Sequence, residues 1–381
     1  MLQTLAVSGY RSLRDVVVPL GPLTVITGPN GSGKSNLYRA LGLLAAAGRG
    51  DVVGALAREG GLPSVLWAGP EGGTSAADVG AVQGTVRSRP VAVQLGFASD
   101  ELGYLVDLGI PQVDQRSAFA RDPEIKREQI FAGTVAKPAT LLIERTRAHT
   151  RVRGDAWTSL SQQLAPYESI ITDLADGDTA PELLSLRRTF GGWRFYDHFR
   201  IDPDAPARRP QVGTRAQTLA HDGSNLAAVW ATVVDAGHGA ALAQAVDEAF
   251  PRATVAVDAA DGLFRLTLRQ PGLLRPLQTS ELSDGTLRYL LLIAALLPAR
   301  PAPLLVLNEP EASLHRSLLT PLGRLIQSAA ARTQVLVVSH ATPLVEALPD
   351  PARVELRPTV AGTEVVGQGF LDVPAWNWGR R

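Results

Sequence analysis

Residues 28–35 read GPNGSGKS, and the types and spacing of these residues suit the binding of a phosphate chain. The segment is a full match to G-x-x-x-x-G-K-[ST], in which glycines allow backbone N–H groups to turn toward phosphate oxygens. Lys34 would place its positive charge on the β- and γ-phosphates, and the hydroxyl of Ser35 is the expected ligand of a Mg²⁺ ion. A chance glycine-rich turn is the alternative, but an apolar run before the loop and a helical pattern after it favour a phosphate site.

A second candidate site follows the apolar run LLVLN at residues 304–308, where an amide and two carboxylates occur together. In phosphate-loop enzymes this strand usually ends in an aspartate of the Mg²⁺ shell, followed by a glutamate that polarises the attacking water. Asn308 and Glu309 occupy these two places. Asn308 offers a carbonyl oxygen without charge, and charged acceptors are roughly twice as strong, so we expect weaker Mg²⁺ affinity and slow hydrolysis. The stretch also suits a helix start, with Pro310 in the first turn and Glu311 near the positive end.

Two further segments place candidate groups at the ends of apolar elements. Ser283, Asp284 and Gly285 precede a long apolar run, and a helix that starts with a small hydroxyl and a glycine can bind an anion. Taken alone, this pattern is more often a capped core helix. His340 follows the apolar run QVLVV at 334–338. Taken alone, a histidine at such a place is more often structural.

The apolar runs predict buried parallel strands that bring these groups to one edge of a sheet. Three runs have this composition: LTVIT (23–27), LLVLN (304–308) and QVLVV (334–338). A helix is expected from Ser35 to Ala47. Because ligands bind at the carboxyl ends of strands in open α/β sheets, the functional ends of all three runs should lie at the same edge.

The chain between these motifs predicts two antiparallel hairpins, helices and a proline-rich loop. Alternating apolar residues around a polar turn indicate the hairpins. Apolar residues at helical spacing indicate the helices, one of them capped by Ser224. No internal repeat or sustained heptad occurs, so this part is expected to be globular. The expected bounds are 91–110 and 253–269 for the hairpins, 157–190 and 222–250 for the helices, and 200–216 for the loop.

Composition excludes several classes of protein. The chain of 381 residues has no cysteine, which rules out disulfides and thiolate metal sites. Basic and acidic residues number 37 each, so the net charge does not indicate a nucleic acid or membrane partner. The N-terminus lacks the apolar core of a signal peptide, and the longest apolar run, 289–297, is too short to span a bilayer. We therefore expect a soluble cytoplasmic protein without a membrane partner.

The order of these segments resembles the ABC-type ATPase heads of the RecF, SMC, Rad50 and OLD group, in particular the stand-alone bacterial ATPases of the AAA_21 and AAA_15 kind. GPNGSGKSN resembles the Walker A loop, LLVLNEPEASLH the Walker B strand with the D-loop, and ELSDGT the transporter signature. The resemblance implies an α/β P-loop fold with a mixed β-sheet core, an antiparallel β subdomain and a helical insert lobe. It implies one head over 1–381, divided into 1–135, a mostly helical insert 136–250, and 251–381.

The resemblance also implies roles for residues at the matching positions, with ATP and Mg²⁺ as cofactors. Lys34, Glu309 as general base and His340 at the γ-phosphate would be catalytic. Ser35 and Asn308 would hold Mg²⁺. Further nucleotide contacts are expected from Asn30, Gly31, Ser32, Gly33 and Asn36 in or beside the loop, and from Arg11 in the opening GYRSL (9–13).

In this group of proteins, two heads enclose two ATP molecules, each closed by the partner's signature. The resemblance therefore implies a homodimer in the ATP state, in which Ser283, Asp284 and Gly285 reach the nucleotide of the opposite subunit. Either Gln94 or Gln129 could be the glutamine of the Q-loop, and Gln94 could instead face solvent on its hairpin.

Four functions are compatible with these observations. The favoured one is an ATP-gated dimeric switch in DNA maintenance or phage defence, with DNA or a separate effector such as a nuclease as partner. A sensor or scaffold with negligible turnover is the alternative that Asn308 supports. The long insert and the lack of a membrane-coupling signal disfavour a transporter subunit. The chain ends at Arg381, soon after His340, so any nuclease is expected to be a separate protein.

Two arginine-rich stretches could contact nucleic acid or belong to the fold. RRTFGGWRFYDHFR (187–200) mixes arginines with aromatic residues that could stack on bases, and Arg208 and Arg209 add to it weakly. Aromatic residues at this density are more often part of a core. Four arginines at 145, 147, 151 and 153 would share one face of an extended strand, for which a solvated face is the simpler interpretation.

Overall fold

The chain folds into two units, and strand β3 (Leu23–Thr27) begins in one and ends in the other. The first unit comprises Met1–Gly21, Ile26–Trp193 and Arg353–Arg381, and the second comprises Pro22–Val25 and Arg194–Ala352. The structure, a computed structural model, describes residues 1–69, 92–111, 119, 122–147, 149–174, 180–369 and 372–379.

An antiparallel sheet of eight strands forms the body of the first unit. In spatial order its strands are β2 (Leu13–Pro19), β1 (Leu2–Tyr10), β4 (Ala92–Ser99), β5 (Leu102–Gly109), β6 (Glu124–Ala132), β7 (Leu141–Thr146), β8 (His149–Arg153) and β9 (Trp157–Ser159). The predicted hairpin at 91–110 is confirmed by β4 and β5, in which Phe97 pairs with Tyr104. Val91 lies outside the described residues.

Helices and one further hairpin complete the first unit. The predicted helix from Ser35 to Ala47 is confirmed, with one more residue at its start. The elements are α1 (Lys34–Ala47), α2 (Val52–Arg58), α3 (Leu62–Val65), α4 (Ile170–Asp173), α5 (Pro181–Gly192), β17 (Ala352–Thr359) and β18 (Gly362–Val365).

The first part of the insert 136–250 differs from the mostly helical lobe expected from the sequence. Residues 141–159 form β7, β8 and β9, which extend the antiparallel sheet. Alternate residues of these strands, such as Ile143 and Val152, are buried, and this spacing is typical of a strand. The helix predicted at 157–190 is therefore wrong at its start and confirmed at α5, while residues 175–179 lie outside the described part of the chain.

The arginines of this segment do not share one solvated face. A turn separates β7 from β8, and Arg145 is fully buried. Its Nη1 lies 3.3 Å from Oε2 of Glu128, and its Nη2 donates to the carbonyl of Ala165 at 2.7 Å. The expectation of a solvated arginine face is wrong for Arg145, which satisfies a buried carboxylate, whereas Arg147, Arg151 and Arg153 are exposed as expected.

Three parallel strands form the centre of the second unit, and their carboxyl ends lie at the same edge. They are β10 (Arg194–Tyr196), β15 (Leu304–Asn308) and β16 (Gln334–Val338). β15 pairs with both of the others, and the register places Asn308 beside Val338. The strands predicted at 304–308 and 334–338 are confirmed, as is the strand at 23–27.

Helices and a small antiparallel sheet pack around these strands, and the buried apolar residues between them form a hydrophobic core. The second predicted hairpin is confirmed: Asp261 and Gly262 form its turn with φ of 52° and 74°. The remaining elements are β11 (Gln211–Val212), α6 (Leu226–Asp235), α7 (Gly239–Ala249), β12 (Thr254–Ala260), β13 (Leu263–Arg269), β14 (Leu277–Gln278), α8 (Asp284–Leu296), α9 (Leu319–Ala330) and α10 (Thr342–Glu346).

Two local predictions need correction. Helix α6 begins at Leu226 after Asn225, so Ser224 is not its cap; the backbone N–H of Ser224 donates instead to Oδ1 of Asp222 at 3.0 Å. The loop predicted at 200–216 contains a short 3₁₀ turn and β11.

Most aromatic residues of the stretch 187–200 belong to the cores of their own units, and Phe195 is half-buried. Trp193, Tyr196 and Phe199 are all buried, which confirms the interpretation as core. Arg208 is also buried and is not part of an exposed basic surface. Among the residues that the structure describes, no helix has the length and apolar character needed to cross a membrane.

Candidate nucleotide site

The glycine-rich loop of the first unit has a backbone that requires glycine. Gly28, Gly31 and Gly33 have φ of 146°, 79° and 100°, a range that other residues rarely adopt. A Cβ on Gly28 would lie 2.3 Å from the carbonyl oxygen of Leu356, and a Cβ on Gly33 would lie 2.3 Å from Oγ1 of Thr363. Conformation and close packing against β17 and β18 therefore both select Gly28 and Gly33, whereas Gly31, with no atom within 4 Å of its missing Cβ, is selected by conformation alone.

Lys34 and Ser32 have hydrogen-bonding capacity left for a ligand. Lys34 is buried, and its Nζ donates to the carbonyls of Gly28 at 2.7 Å and Pro29 at 3.0 Å. A lysine ammonium has three N–H donors, so one remains. Oγ of Ser32 is buried without a hydrogen-bond partner among the described residues. A buried cation and an unsatisfied hydroxyl two residues apart in one loop fit an anion such as a phosphate.

The start of helix α1 adds backbone donors and an exposed hydroxyl. The first N–H groups of a helix have no partner within it, and the positive end of the helix dipole lies there. The first turn carries no acidic side chain that would compete with an anion. Ser35 is exposed in this turn, so its hydroxyl can contact a cation bound to the phosphates. The donor set therefore fits a nucleotide phosphate with Mg²⁺.

Three other candidate residues of this unit differ in their contacts. Asn30 is an exposed member of the loop. The amide of Asn36 donates to Oγ of Ser12 at 2.9 Å, and Ser12 also contacts Thr363. Nη2 of Arg11 donates to Oε2 of Glu59 at 2.8 Å. The side chains of Asn36 and Arg11 are thus paired with protein groups in this structure.

Glu59 also accepts a hydrogen bond from the hydroxyl of Tyr10, at 2.5 Å. Burial, and then the hydrogen bond and negative charge of Glu59, raise the pKa of the Tyr10 hydroxyl above its ordinary value. The tyrosine therefore stays neutral near pH 7, and Glu59 stabilises the paired position of Arg11.

In the second unit, Asn308 is hydrogen-bonded to a carboxylate that the sequence analysis did not single out. Nδ2 of Asn308 donates to Oδ1 of Asp197 at 2.8 Å. Asp197 is the residue that follows β10, and β10 pairs with β15 in parallel. The uncharged side chain of Asn308 at the end of β15 is therefore hydrogen-bonded to the carboxylate of Asp197.

Glu309 is held in an uncommon backbone conformation. Its φ is 46°, in the left-handed region that non-glycine residues seldom adopt and that often occurs at functional sites. Its backbone N–H donates to the carbonyl of Val338 at 2.8 Å, and its carbonyl accepts from Nη2 of Arg288 at 3.0 Å. These two bonds fix the main chain, while the side chain is 33% exposed and its Oε1 lies 3.6 Å from Nδ1 of His340.

The segment after Glu309 does not start a helix, which corrects the predicted roles of Pro310 and Glu311. Residues 309–314 form turns, and α9 begins at Leu319. Glu311 is buried; its Oε1 accepts from Oγ of Ser339 at 2.6 Å and from the backbone N–H of His340 at 3.3 Å. The carboxylate therefore holds the chain that follows β16 rather than a helix end.

Arg288 lies buried among these acids. Burial lowers the pKa of its guanidinium, and the negative charges of Glu311, Asp197 and Glu309 oppose that effect, in that order. Its Nε has no hydrogen-bond partner among the described residues. Arg288 thus supplies a buried positive charge that interacts with Glu311, Asp197 and Glu309.

The segment that resembles the transporter signature is a capped helix start, as its sequence predicts. Oγ of Ser283 accepts from the backbone N–H of Thr286 at 3.3 Å, and α8 follows. Ser283 and Asp284 are exposed, and Gly285 is half-buried. Oδ1 of Asp284 accepts from Nη2 of Arg208 at 2.6 Å.

The AAA_21 family, described as "AAA domain, putative AbiEii toxin, Type IV TA system", matches residues 23–346. The chain belongs to the AAA_21 family. It is also 52% identical over 44 residues to an OLD nuclease of Thermus scotoductus, a match that covers 12% of this chain and only 8% of that protein.

Solved structures of SMC heads share the fold of this AAA_21 protein. An SMC head bound to the C-winged helix domain of ScpA is 13% identical, with a TM-score of 0.52 and 96% of each chain covered. A head with an extended coiled coil, bound to the C-terminal domain of ScpA and derived from Pyrococcus furiosus, is 12% identical, with a TM-score of 0.50 and 96% and 95% covered. The AAA_21 protein therefore has the fold of an SMC head, which confirms the expected α/β P-loop fold, and it matches an OLD nuclease over one short stretch.

Both candidates for the Q-loop glutamine of the AAA_21 head are buried in the first unit. Nε2 of Gln94 donates to Asp107 at 3.3 Å, and Nε2 of Gln129 donates to Glu144 at 2.7 Å. The alternative that Gln94 faces solvent is wrong, because the residue is buried and its amide contacts Asp107.

Sequence reasoning missed three contributors to the AAA_21 site: Asp197, Arg208 as the partner of Asp284, and Glu311 as the partner of Ser339. Asp197 follows a strand of only three residues, which is too short for a recognisable pattern. Arg208 was interpreted as part of a basic stretch. Its partners Thr279, Leu282 and Asp284 lie more than 70 positions further along the chain, so no local signal could have found them.

Proposed function

We propose that this protein binds ATP and Mg²⁺, hydrolyses ATP slowly and dimerises around two nucleotides, acting as a switch in DNA maintenance or phage defence. The observation that carries this proposal is the loop at 28–35, in which Lys34 keeps one N–H donor and the buried hydroxyl of Ser32 is unsatisfied among the described residues. Lys34, the loop and the start of α1 bind the phosphates in this proposal.

Hydrolysis is assigned to Glu309, with Ser35 and Asn308 as Mg²⁺ ligands. The bonds from Val338 and Arg288 fix the backbone of Glu309 and leave its carboxylate to accept a proton from the attacking water. His340 lies 3.6 Å from that carboxylate and is assigned to the γ-phosphate. A bound Mg²⁺ ion would neutralise charge on the β- and γ-phosphate oxygens.

Calorimetric titration with ATP tests the first step. Lys34→Ala should abolish measurable binding, because it removes the phosphate-binding charge. Lys137→Ala, at an exposed lysine of the same unit, should bind like the unchanged protein. Binding that survives in Lys34→Ala would contradict the assignment of the loop.

Dimerisation is assigned to the exposed residues Ser283 and Asp284, together with Gly285. Glu309→Gln should retain ATP and form a dimer in light scattering, because nucleotide accumulates when the base is lost. Adding Ser283→Arg should return it to a monomer, whereas Ser328→Arg, at an exposed position on α9, should not. A monomer in every case, or normal turnover in Glu309→Gln, would contradict the proposal.

The SMC-like fold and the short match to an OLD nuclease support a DNA-related role. DNA binding measured with and without ATP at two salt concentrations tests this role. A steep salt dependence that appears only with ATP supports it, because phosphate contacts release counterions. Absence of binding in both states would favour a separate protein effector.

The uncharged Asn308 favours a second candidate, an ATP-binding sensor or scaffold with negligible turnover that controls another protein. Phosphate release from ATP decides between the two. Turnover that Glu309→Gln abolishes supports the slow ATPase. Tight binding of ATP without any phosphate release supports the sensor.

A further inference from the structure

Asp197 and Asn308 come together because two short strands run in parallel. In the register of β10 and β15, Tyr196 pairs with Leu307, so the next residue of each strand reaches the same edge. The two residues are 111 positions apart in the chain, and Nδ2 of Asn308 lies 2.8 Å from Oδ1 of Asp197. The side chain of Asp197 is 38% exposed, which leaves it accessible to an ion.

The chemistry of this bond fixes which atoms remain available. A carboxylate accepts hydrogen bonds but donates none, so the amide must present its NH₂ group to Asp197. The carbonyl Oδ1 of Asn308 is then left without that partner. On Asp197, Oδ1 also lies 2.9 Å from Nδ1 of His198, while Oδ2 makes no hydrogen bond among the described residues. The pair thus offers two free oxygens, one neutral and one charged.

We propose that Asp197 supplies the negative charge that Asn308 lacks, so that the two side chains together act as the acidic side of the Mg²⁺ shell. This inference rests on the proposed function. The pair carries one net negative charge, as a single aspartate would at the end of β15. Oxygen ligands of this kind suit Mg²⁺, either directly or through a bound water.

The surrounding charges agree with this assignment. Asp197, Glu309 and Glu311 all act on the buried guanidinium of Arg288, whose Nη2 also donates to the carbonyl of Glu309. Asp197 therefore lies in the same electrostatic environment as the residue assigned as general base. If Asp197 served only to fix the rotamer of Asn308, its negative charge would not be needed. An asparagine at position 197 could then accept the same hydrogen bond.

The experiment measures how ATP affinity depends on Mg²⁺ concentration, by calorimetry in EDTA and at increasing Mg²⁺. Asp197→Asn should shift the half-maximal Mg²⁺ concentration upward by about 10- to 100-fold, the range seen when groups around a metal site are removed. The exchanged variant Asp197→Asn with Asn308→Asp keeps one amide and one acid and should return to the original Mg²⁺ dependence. Asp204→Asn is the control, because Asp204 is 81% exposed and pairs with Arg209 on the surface.

The outcomes separate this inference from the proposed function. Unchanged Mg²⁺ dependence in Asp197→Asn, an exchanged variant as weak as Asp197→Asn, or ATP binding that never depends on Mg²⁺ would each overturn the inference while nucleotide binding stands. Absence of ATP binding by the unchanged protein would overturn the proposed function itself. If Asp197→Asn does not fold, the exchanged variant alone decides: the original Mg²⁺ dependence supports the inference, and a loss of tenfold or more overturns it.

Discussion

Nη2 of Arg208 donates to Oδ1 of Asp284 at 2.6 Å, and this bond ties the loop after β10 to the first turn of α8. Nη1 of the same guanidinium donates to the carbonyls of Thr279 and Leu282 at 3.0 and 2.7 Å. Arg208 is buried, whereas Asp284 is 63% exposed. The arginine therefore organises the residues that lead into the candidate signature.

Replacing Arg208 with alanine should lower the free energy of unfolding by about 3 kcal/mol, because buried carbonyls left without a donor cost about 1–3 kcal/mol each. Asp284→Asn should cost less than about 1 kcal/mol, since Asp284 is 63% exposed and an amide oxygen can still accept the hydrogen bond from Arg208. Urea denaturation measures both. The control is Arg209→Ala, which removes an exposed arginine paired with Asp204 at 3.1 Å and should change stability little. Equal midpoints for the two arginine variants would contradict the assigned role of Arg208.

Replacement by alanine should have opposite effects on stability at Gly33, which precedes α1, and at Gly42, which lies within it. Gly33 has a φ of 100° and no room for a Cβ beside Thr363, so Gly33→Ala should destabilise the fold by about 1–3 kcal/mol and weaken ATP binding. Gly42 lies within the helix with no atom near its missing Cβ, so Gly42→Ala should stabilise by about 0.5–1 kcal/mol. Thermal unfolding and ATP titration of both variants provide the test, and loss of stability in both would show that helix α1 tolerates no added side chain.

Asn308→Asp should have opposite effects with and without metal. In EDTA, two carboxylates would replace a hydrogen-bonded pair whose atoms lie 2.8 Å apart, and their repulsion should lower the free energy of unfolding by about 1–2 kcal/mol. Adding Asp197→Asn should restore it. With Mg²⁺, the extra charge should raise Mg²⁺ affinity above that of the unchanged protein. A variant with no gain in Mg²⁺ affinity would contradict the assignment of Asn308 to the metal.

Glu281 should contribute stability that depends on pH. The hydrogen bond from Arg275, at 2.6 Å, and the backbone N–H of Gln278 lower the pKa of this carboxyl to about 2. A depressed pKa gives stability that is fully present above the unfolded pKa of about 4.3 and is lost as pH falls toward 2. Glu281→Gln should therefore be less stable than the unchanged protein at pH 6, and the gap should narrow at pH 3. Urea denaturation at the two pH values measures the difference in the free energy of unfolding between the two proteins. A difference that does not change with pH would argue against a role for the charge of Glu281.

The sequence alone determined the elements whose signals are local. Apolar runs fixed the strands at 23–27, 304–308 and 334–338 because a buried strand needs several consecutive apolar residues. The phosphate loop could be recognised because its glycines, lysine and serine are neighbours in the chain. Ser283 was recognisable as a helix start because a cap acts within one turn.

Which distant groups meet depends on how the strands and helices pack. Asp197 reaches Asn308 because β10, a strand of three residues, lies beside β15, and strand order is a property of the whole sheet. The burial of Arg145 against Glu128 and of Arg208 beside α8 likewise depends on elements far apart in the chain. A charged side chain carries the same letter whether it is solvated or buried, and its role depends on the partners that folding brings within hydrogen-bond distance.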